Sequence, residues 1–311
     1  MRKYLAFWAI LSLAVFALTL QAPAANVNDF INYSLLDSSN NVLLPGRLHV
    51  PADYATDPNT ARPLILFLHG SGESGTNNTS QINGNIDNLL AAAKARDAFL
   101  YAPQTNIGWA DSLLLSRAMS MIDRAIDERS VDTNRVYVTG LSMGGGGVWD
   151  FLHQYPDRAA ASVPICGIPP LLSFDPANVV NEPIWAFHGR FDATVPATVT
   201  RIVVNSLLTE AGLPIPTYPA LNTFGPNVQF DFPPLNLHYT DMRGGHGIWP
   251  EVYNMPALYD WMFAQSQVPE PSALALAILA LCVPATTHRQ RHQARPLVAD
   301  CARRRRILGN S

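Results

Sequence analysis

The feature that most constrains the fold is a glycine-flanked serine set between a predicted strand and a predicted helix. Residues 136–139 are β-branched and aromatic, as in a buried strand, and they lead into Gly-Leu-Ser-Met-Gly at 140–144. A helix-like segment follows at 148–154. A strand, a tight turn and a helix are the context that a nucleophile elbow requires. Ser142 is therefore the candidate nucleophile.

Two further predicted strands each deliver a polar residue just past their ends. Asp192 follows the apolar run at 183–189, and His246 lies in a glycine-containing loop after 237–242. A serine hydroxyl is a poor nucleophile at neutral pH, so it needs a histidine to take its proton and a carboxylate to orient that histidine. The chain order Ser142, Asp192, His246 is that of α/β-hydrolase triads. Asp241 is an alternative for the acid.

A developing oxyanion needs two preorganised donors. The N–H of Met143, next after the nucleophile, is the first candidate. The apolar run 63–68 breaks into a glycine-rich loop, where the N–H of Ser71 is the second candidate and Gly72 the alternative. His69 is expected to shape this loop through side-chain hydrogen bonds rather than act as a base.

The remaining pattern predicts strands alternating with helices, hence a mostly parallel central sheet with helices on both faces. Strands are expected at 30–36, 41–50, 98–102 and 160–165. Helices are expected at 111–127, with Asp111 as N-cap, and at 197–211. The aromatic-rich segment 213–237 is long for a loop and predicts a lid over the site; a surface insertion without contact to the site is the alternative. The polar segment 73–88 predicts a mobile rim. Gly72, Trp109 and Trp249 are candidates for substrate contact, the two tryptophans by lining the cleft.

The N-terminal end has the pattern of a secretory signal peptide. A basic start is followed by a continuous apolar run at 5–20 and the small residues Ala-Pro-Ala at 22–24. This predicts cleavage of residues 1–24, with a catalytic domain at 25–266; the alternative is an uncleaved anchor. Only Cys166 lies in that domain, so no internal disulfide is possible there.

The other end contains Pro-Glu-Pro at 269–271, an apolar run at 273–285 and a tail with four consecutive arginines. The order of these features resembles the PEP-CTERM sorting signal of Gram-negative bacteria. The resemblance implies a sorting segment at 267–311 with a short apolar helix, recognised by an exosortase-type enzyme through residues 268–285. The protein would then be exported and extracellular or envelope-associated. The apolar run is shorter than the roughly 20 residues that a spanning helix needs.

Charge excludes one class of partner. Residues 25–285 carry 12 basic and 23 acidic side chains, a net charge of −11. A domain this acidic has no electrostatic footprint for nucleic acid. The sequence also contains no cysteine–histidine cluster with metal-ligand spacing, no P-loop and no dinucleotide fingerprint, so no metal or cofactor is expected.

Seven segments carry a wider resemblance over residues 44–265, and they include LFLHGSGESG, VYVTGLSMGGGGVWDF, PIWAFHGRFDATVP and GGHGIWPEVY. They are similar to the secreted α/β-hydrolases often labelled predicted peptidases, close to the phospholipase/carboxylesterase, feruloyl-esterase and polyhydroxyalkanoate-depolymerase-like branches. The resemblance implies the α/β-hydrolase fold and hydrolysis of carboxylic esters, of polysaccharides or small molecules, through the three residues above. A serine peptidase of the prolyl-oligopeptidase-like type and a non-catalytic surface-attached binding domain are the alternatives.

Overall fold

The structure of the protein is a computed structural model that describes residues 22–267. Its strands are β1 (Ile31–Asn32), β2 (Leu35–Leu36), β3 (Val42–Leu44), β4 (Gly46–His49), β5 (Arg62–Leu68), β6 (Phe99–Pro103), β7 (Val131–Leu141), β8 (Ala161–Ile165), β9 (Ile184–Gly189), β10 (Val228–Phe232) and β11 (Leu237–Met242). Its helices are α1 (Asp87–Ala95), α2 (Ser112–Glu128), α3 (Met143–Gln154), α4 (Thr198–Glu210), α5 (Trp249–Tyr253) and α6 (Pro256–Phe263).

Nine of these strands form one sheet in the order β1-β4-β6-β5-β7-β8-β9-β11-β10, while β2 and β3 pair separately. The six strands from β6 to β11 in that order are parallel to one another. Antiparallel pairs occur only towards the two edges, at β1–β4, β4–β6 and β10–β11. The predicted mostly parallel sheet is confirmed.

The sheet is buried on both faces, and the alternation within β5 shows why its sequence is apolar throughout. Leu64, Leu66 and Leu68 belong to the core cluster that contains residues of α2, α3 and α4. Ile65 and Phe67 belong to the second cluster, with residues of α1, α5 and α6. Successive side chains of a strand point to opposite faces, so a strand covered on both sides needs apolar residues at every position.

The helices predicted at 111–127 and 197–211 are confirmed. Asp111 caps α2 by accepting hydrogen bonds from the N–H groups of Leu113 and Leu114. Helix α4 is followed by Gly212 at φ +67°, a left-handed conformation that glycine adopts without strain. The early strands expected at 30–36 and 41–50 are each split in two, because β2 and β3 pair with each other while β1 and β4 join the main sheet.

The prediction that residues 213–237 form a lid over the site is wrong. The segment contributes β10, which pairs along its whole length with β11 at the edge of the sheet. Tyr218 and Phe230 pack against Tyr239 of β11, with ring centroids 5.7 and 6.0 Å away. These aromatic side chains therefore complete the core beside β11. Phe224 is the exposed exception, at 83%.

Among residues 22–267, no helix is both long and apolar enough to cross a bilayer. The apolar runs at 5–20 and 273–285, and most of the predicted sorting segment, lie outside the described residues.

Candidate active site

Three parallel strands bring the predicted catalytic residues together. Ser142 directly follows β7, Asp192 lies three residues after β9, and His246 lies four residues after β11. These strands run parallel within one sheet, so their carboxyl ends share an edge, where ligand sites of open α/β sheets form. Residues up to 104 positions apart in sequence thereby become neighbours.

The three side chains form a continuous hydrogen-bonded relay. His246 Nε2 lies 2.8 Å from Ser142 Oγ, and His246 Nδ1 lies 2.7 Å from Asp192 Oδ2. The carboxylate accepts from Nδ1–H, which leaves the Nε2 lone pair facing the serine hydroxyl. This tautomer is the one that can take the serine proton.

The Asp192 carboxylate is held in place by four donors. Its Oδ1 accepts from the N–H groups of Thr194 and Val195 at 2.8 and 2.7 Å. Its Oδ2 accepts from His246, and His188 Nε2 lies 3.3 Å away. Burial opposes ionisation, but the hydrogen bonds from the two histidines and the backbone outweigh it and hold the pKa of Asp192 well below its usual range. The acid is therefore ionised at neutral pH.

The backbone at Ser142 has the strained geometry of a nucleophile elbow. Its φ and ψ are 53° and −115°, a combination that a non-glycine residue rarely adopts. The flanking glycines permit the turn: a Cβ at Gly140 would lie 2.5 Å from the Gly144 carbonyl oxygen, and one at Gly144 would lie 1.9 Å from the Leu68 carbonyl oxygen. The start of α3 is thus in direct backbone contact with the end of β5.

The predicted oxyanion donors flank the serine. Helix α3 begins at Met143, so the Met143 N–H has no acceptor within the helix. The loop before Ser71 lies close to the elbow, because a Cβ at Gly70 would lie 2.5 Å from the Leu141 side chain. Ser71 and Gly72 are exposed and do not line the cavity at the serine. Their role in the oxyanion hole stays a prediction.

His69 has the structural role expected for it. Its Nδ1–H donates to the Gly70 carbonyl oxygen at 2.7 Å, and its Nε2 accepts from the Thr105 N–H at 3.1 Å. Trp109 Nε1–H donates to the His69 carbonyl oxygen, and the two rings meet edge to face. Burial lowers the pKa of His69 to about 4, so the ring stays neutral and ties two loops together.

A cavity of about 550 Å³ opens beside Ser142. Its walls are mainly apolar and come from the loop at 107–110, helix α3, the turn at 168–170, and the loop at 194–195. Trp109 lines it as predicted, although the side chain is fully buried. Trp249 does not line it; the indole packs edge-on against His246 and donates to Asn85 Oδ1.

Asp150 lines the cavity but is not among the residues predicted from the sequence. It lies on α3, two turns after the nucleophile, and its half-buried carboxyl has no hydrogen-bond partner among residues 22–267. Burial alone raises its pKa to about 6. The signal that could have identified it is its spacing from Ser142, since positions i and i+8 share one face of a helix.

Asp241, the alternative acid, has a different role. It is fully buried and forms ion pairs with Arg190, at 2.5 Å from Nε, and with Arg201. Its side-chain hydrogen bonds go to Arg190, Arg201 and Tyr239, whereas His246 pairs with Asp192. Asp241 therefore ties α4 and the loop after β9 to strand β11, and Asp192 is the acid of the relay.

Cys166, His188 and Asp192 bring three potential metal-ligand atoms within 4.8 Å of one another. His188 already uses both ring nitrogens, Nδ1 with Thr200 Oγ1 and Nε2 with the Val195 carbonyl oxygen, each at 2.8 Å. Burial raises the pKa of the Cys166 thiol, which disfavours the thiolate that a metal would need. These contacts fit a scaffold under the Asp192 loop.

Parts of the chain are similar to known hydrolases. The Dienelactone hydrolase family matches residues 102–221, a span that contains Ser142 and Asp192 and ends before His246. A poly(3-hydroxyalkanoate) depolymerase C from Paucimonas lemoignei is 29% identical over 153 residues, which are 44% of this chain and 35% of the relative. A bifunctional acetylxylan esterase/xylanase from Neocallimastix patriciarum is 29% identical over 149 residues, 45% of this chain and 20% of the relative.

Among solved structures, a thermostable esterase is 30% identical, with a TM-score of 0.63, over 77% of this chain and 64% of that chain. The chain thus spans about a third of the depolymerase, a fifth of the acetylxylan esterase/xylanase and less than two thirds of the esterase. Together with the sheet order, these matches show that the chain has the α/β-hydrolase fold.

Proposed function

We propose that this chain is a serine hydrolase that cleaves carboxylic ester bonds through an acyl-enzyme. One observation carries the proposal: the Ser142–His246–Asp192 relay is fully formed, with hydrogen bonds of 2.8 and 2.7 Å, beside a cavity of about 550 Å³. The two hydrogen bonds fit a proton on His246 Nδ1 facing the Asp192 carboxylate, the arrangement that acyl transfer requires.

In this mechanism Ser142 Oγ attacks the ester carbonyl carbon while His246 Nε2 takes the hydroxyl proton. Asp192 accepts from Nδ1–H and stabilises the imidazolium that forms. The N–H groups of Met143 and Ser71 receive the oxyanion of the tetrahedral intermediate. His246 returns the proton to the leaving alcohol, and water, activated by the same nitrogen, releases the acid from the acyl-enzyme.

The lining of the cavity fits the proposed substrates, which are acyl esters of polysaccharides, feruloyl-type esters or small esters. Its apolar walls, including Met143 and Ile168, suit an acyl chain or the C–H face of a sugar. The partnerless Asp150 carboxyl can accept hydrogen bonds from hydroxyl groups and would repel an anion. A hydroxyl-bearing, locally uncharged group therefore fits this side of the nucleophile.

The test is hydrolysis by the purified full chain of p-nitrophenyl acetate and butyrate beside aminoacyl-p-nitroanilides, followed by feruloyl and hydroxybutyrate esters. Ser142→Ala should lower kcat by roughly 10³ or more and abolish labelling by a fluorophosphonate, without lowering the thermal midpoint. Ser120→Ala, an exposed serine on α2, is the matched control. Cleavage of anilides alone would contradict the ester assignment, and undiminished labelling of Ser142→Ala would contradict the nucleophile.

We also infer that the protein is exported and then sorted by an exosortase-type enzyme that recognises residues 268–285. The N-terminal apolar run and the C-terminal Pro-Glu-Pro pattern support this. The Ala25 N–H donates to Asp87 Oδ1 at 2.8 Å. Cleavage after Ala24 would place an α-ammonium at that carboxylate and make the bond charge-assisted. Mass spectrometry of the protein from envelope and medium fractions should find chains beginning at Ala25; intact chains in the cytoplasm would contradict the inference.

A further inference from the structure

A second cavity, of about 520 Å³, adjoins the one at the nucleophile. The two cavities share Ile107, whose side chain is 68% exposed. The second cavity lies between the β3–β4 segment, the loop after β5 and the N-terminal half of α2. A ligand that reaches across Ile107 could therefore occupy both cavities at once.

The charge of this second cavity is opposite to that of the domain. Arg47 and Arg117 line it, and no aspartate or glutamate does. Neither arginine forms a salt bridge with a described residue. Two guanidinium groups without a carboxylate partner stand out in a segment, residues 25–285, whose net charge is −11.

Both guanidinium groups are positioned by backbone acceptors that use only part of their donor capacity. Arg47 Nε–H donates to the Asn78 carbonyl oxygen at 2.8 Å, and Arg117 Nη1–H donates to the Leu43 carbonyl oxygen at 2.9 Å. A guanidinium has five N–H donors, so both terminal nitrogens of Arg47 and Arg117 Nη2 keep donors available. Such a fork matches the geometry of a carboxylate.

The wall around the arginines is fixed by amide side chains. Asn78 Nδ2 donates to the Gly46 carbonyl oxygen, and the Asn78 N–H donates to Gln104 Oε1. Gln104 Nε2 in turn donates to Asn77 Oδ1 and to the Glu73 carbonyl oxygen. The cavity is thus preformed, and its lining combines amide and hydroxyl groups with apolar side chains, a mixture that suits a sugar-like ligand. The mobility predicted for residues 73–88 stays a prediction.

The two cavities are lined by side chains of opposite charge, with Ile107 between them. Asp150 lies on the nucleophile side of Ile107, and Arg47 and Arg117 lie on the other. Once the Asp150 carboxyl is ionised, an anionic group is repelled from the first cavity and attracted to the second. An ester that carries a carboxylate would therefore bind in one orientation.

We propose that the Arg47–Arg117 cavity is a subsite for the carboxylate of an acidic sugar, so that the substrate is an ester on a uronate-bearing glycan. This inference rests on the proposed ester hydrolysis and adds the substrate class. A sugar acid is favoured over a hydroxyacid oligomer because the cavity wall combines amide and hydroxyl groups such as Asn32 and Ser34 with apolar side chains such as Leu114, and a sugar ring presents both hydroxyl groups and C–H faces.

The experiment compares acetate release from two substrates that differ at one carbon. Acetylated methyl glucuronoside has a carboxylate where acetylated methyl glucoside has a hydroxymethyl group. The full chain should prefer the glucuronoside in kcat/KM, mainly through KM, and the preference should fall as salt is added. Arg47→Gln and Arg117→Gln should each lower the preference ratio about tenfold, and lysine at either position should restore part of it.

Arg158→Gln is the control, because Arg158 is an exposed arginine that lines neither cavity. This substitution removes the same unit of positive charge as the two test variants. It should leave the ratio unchanged. Equal kcat/KM for the two sugars, or an equal loss in the control, would overturn the subsite. A preference found only for a 3-hydroxybutyrate dimer over its methyl ester would overturn the sugar acid as the ligand.

A binding measurement separates this proposal from the proposed activity. If no ester is hydrolysed, the ester-hydrolase assignment fails, and calorimetry with methyl glucuronoside and methyl glucoside still tests the cavity. Binding of the glucuronoside alone, lost in the Arg47→Gln, Arg117→Gln double variant, supports the subsite. Equal or absent binding of both sugars overturns it. Thermal midpoints of all variants establish that each is folded.

Discussion

Replacing Asp192 by asparagine should disable the relay through the tautomer of His246. In the native protein Asp192 Oδ1 accepts two backbone N–H groups, and Oδ2 faces the histidine. Asparagine keeps an oxygen for the two backbone donors, so its NH₂ group takes the Oδ2 position. An NH₂ donor opposite His246 Nδ1 requires the lone pair there and places the ring proton on Nε2, towards Ser142. The histidine can then no longer accept the serine proton.

We expect Asp192→Asn to lower kcat by about 10⁴, which corresponds to about 5 kcal/mol of transition-state stabilisation. The free energy of unfolding should fall by only about 1–3 kcal/mol, because the lost interactions are charge-assisted hydrogen bonds and the backbone contacts remain. Steady-state kinetics on p-nitrophenyl acetate and urea unfolding measure the two effects separately. A kcat within tenfold of the parent would refute the tautomer argument.

Asp241→Asn is the matched comparison and should give the opposite pattern. This carboxylate is fully buried between Arg190 and Arg201, so its loss leaves two guanidinium groups poorly compensated. The expected cost is about 3–5 kcal/mol of unfolding free energy, with near-parental kcat in the molecules that remain folded. A folded Asp241→Asn enzyme with a 10⁴-fold lower kcat would contradict its assignment as a structural residue.

Three further changes test other parts of the structure. Gly144→Ala should destabilise the fold by at least about 1–3 kcal/mol, because the added Cβ would lie 1.9 Å from the Leu68 carbonyl oxygen. Gly72→Ala is its control: an added Cβ there has nothing within 4 Å, so the thermal midpoint should not change. Asp150→Asn should stabilise the protein above pH 6, where the raised pKa makes the native carboxylate costly, by about 1–2 kcal/mol after allowance for solvent screening. The gain should shrink as the pH falls and vanish below about pH 3, where both the folded and the unfolded state bind the proton. A pH-independent gain in urea titrations would contradict this. Asp111→Ala should cost about 1 kcal/mol in the same assay by removing the cap of α2, and no change would show that the cap contributes nothing.

Sequence patterns were sufficient to predict the features that depend only on residues close together in the chain. The apolar run of β5, the cap of α2 and the glycine-flanked turn at Ser142 each depend on side chains within a few residues, so composition and spacing identify them. The same holds for the order of serine, acid and histidine. The early strands and the segment 213–237 were misjudged because the pairing partner, rather than propensity, decides where an edge strand begins and what its aromatic residues contact.

The sequence by itself determined which residue types meet at the ends of three parallel strands, because apolar runs and turn residues fix those strands locally. Only the tertiary structure decided between Asp192 and Asp241, since both lie beyond or at the end of a strand and differ in what surrounds them. It alone also revealed the partnerless Asp150 and the two arginines in the adjoining cavity, because burial and the absence of a counter-charge are properties of side chains brought together from distant parts of the chain.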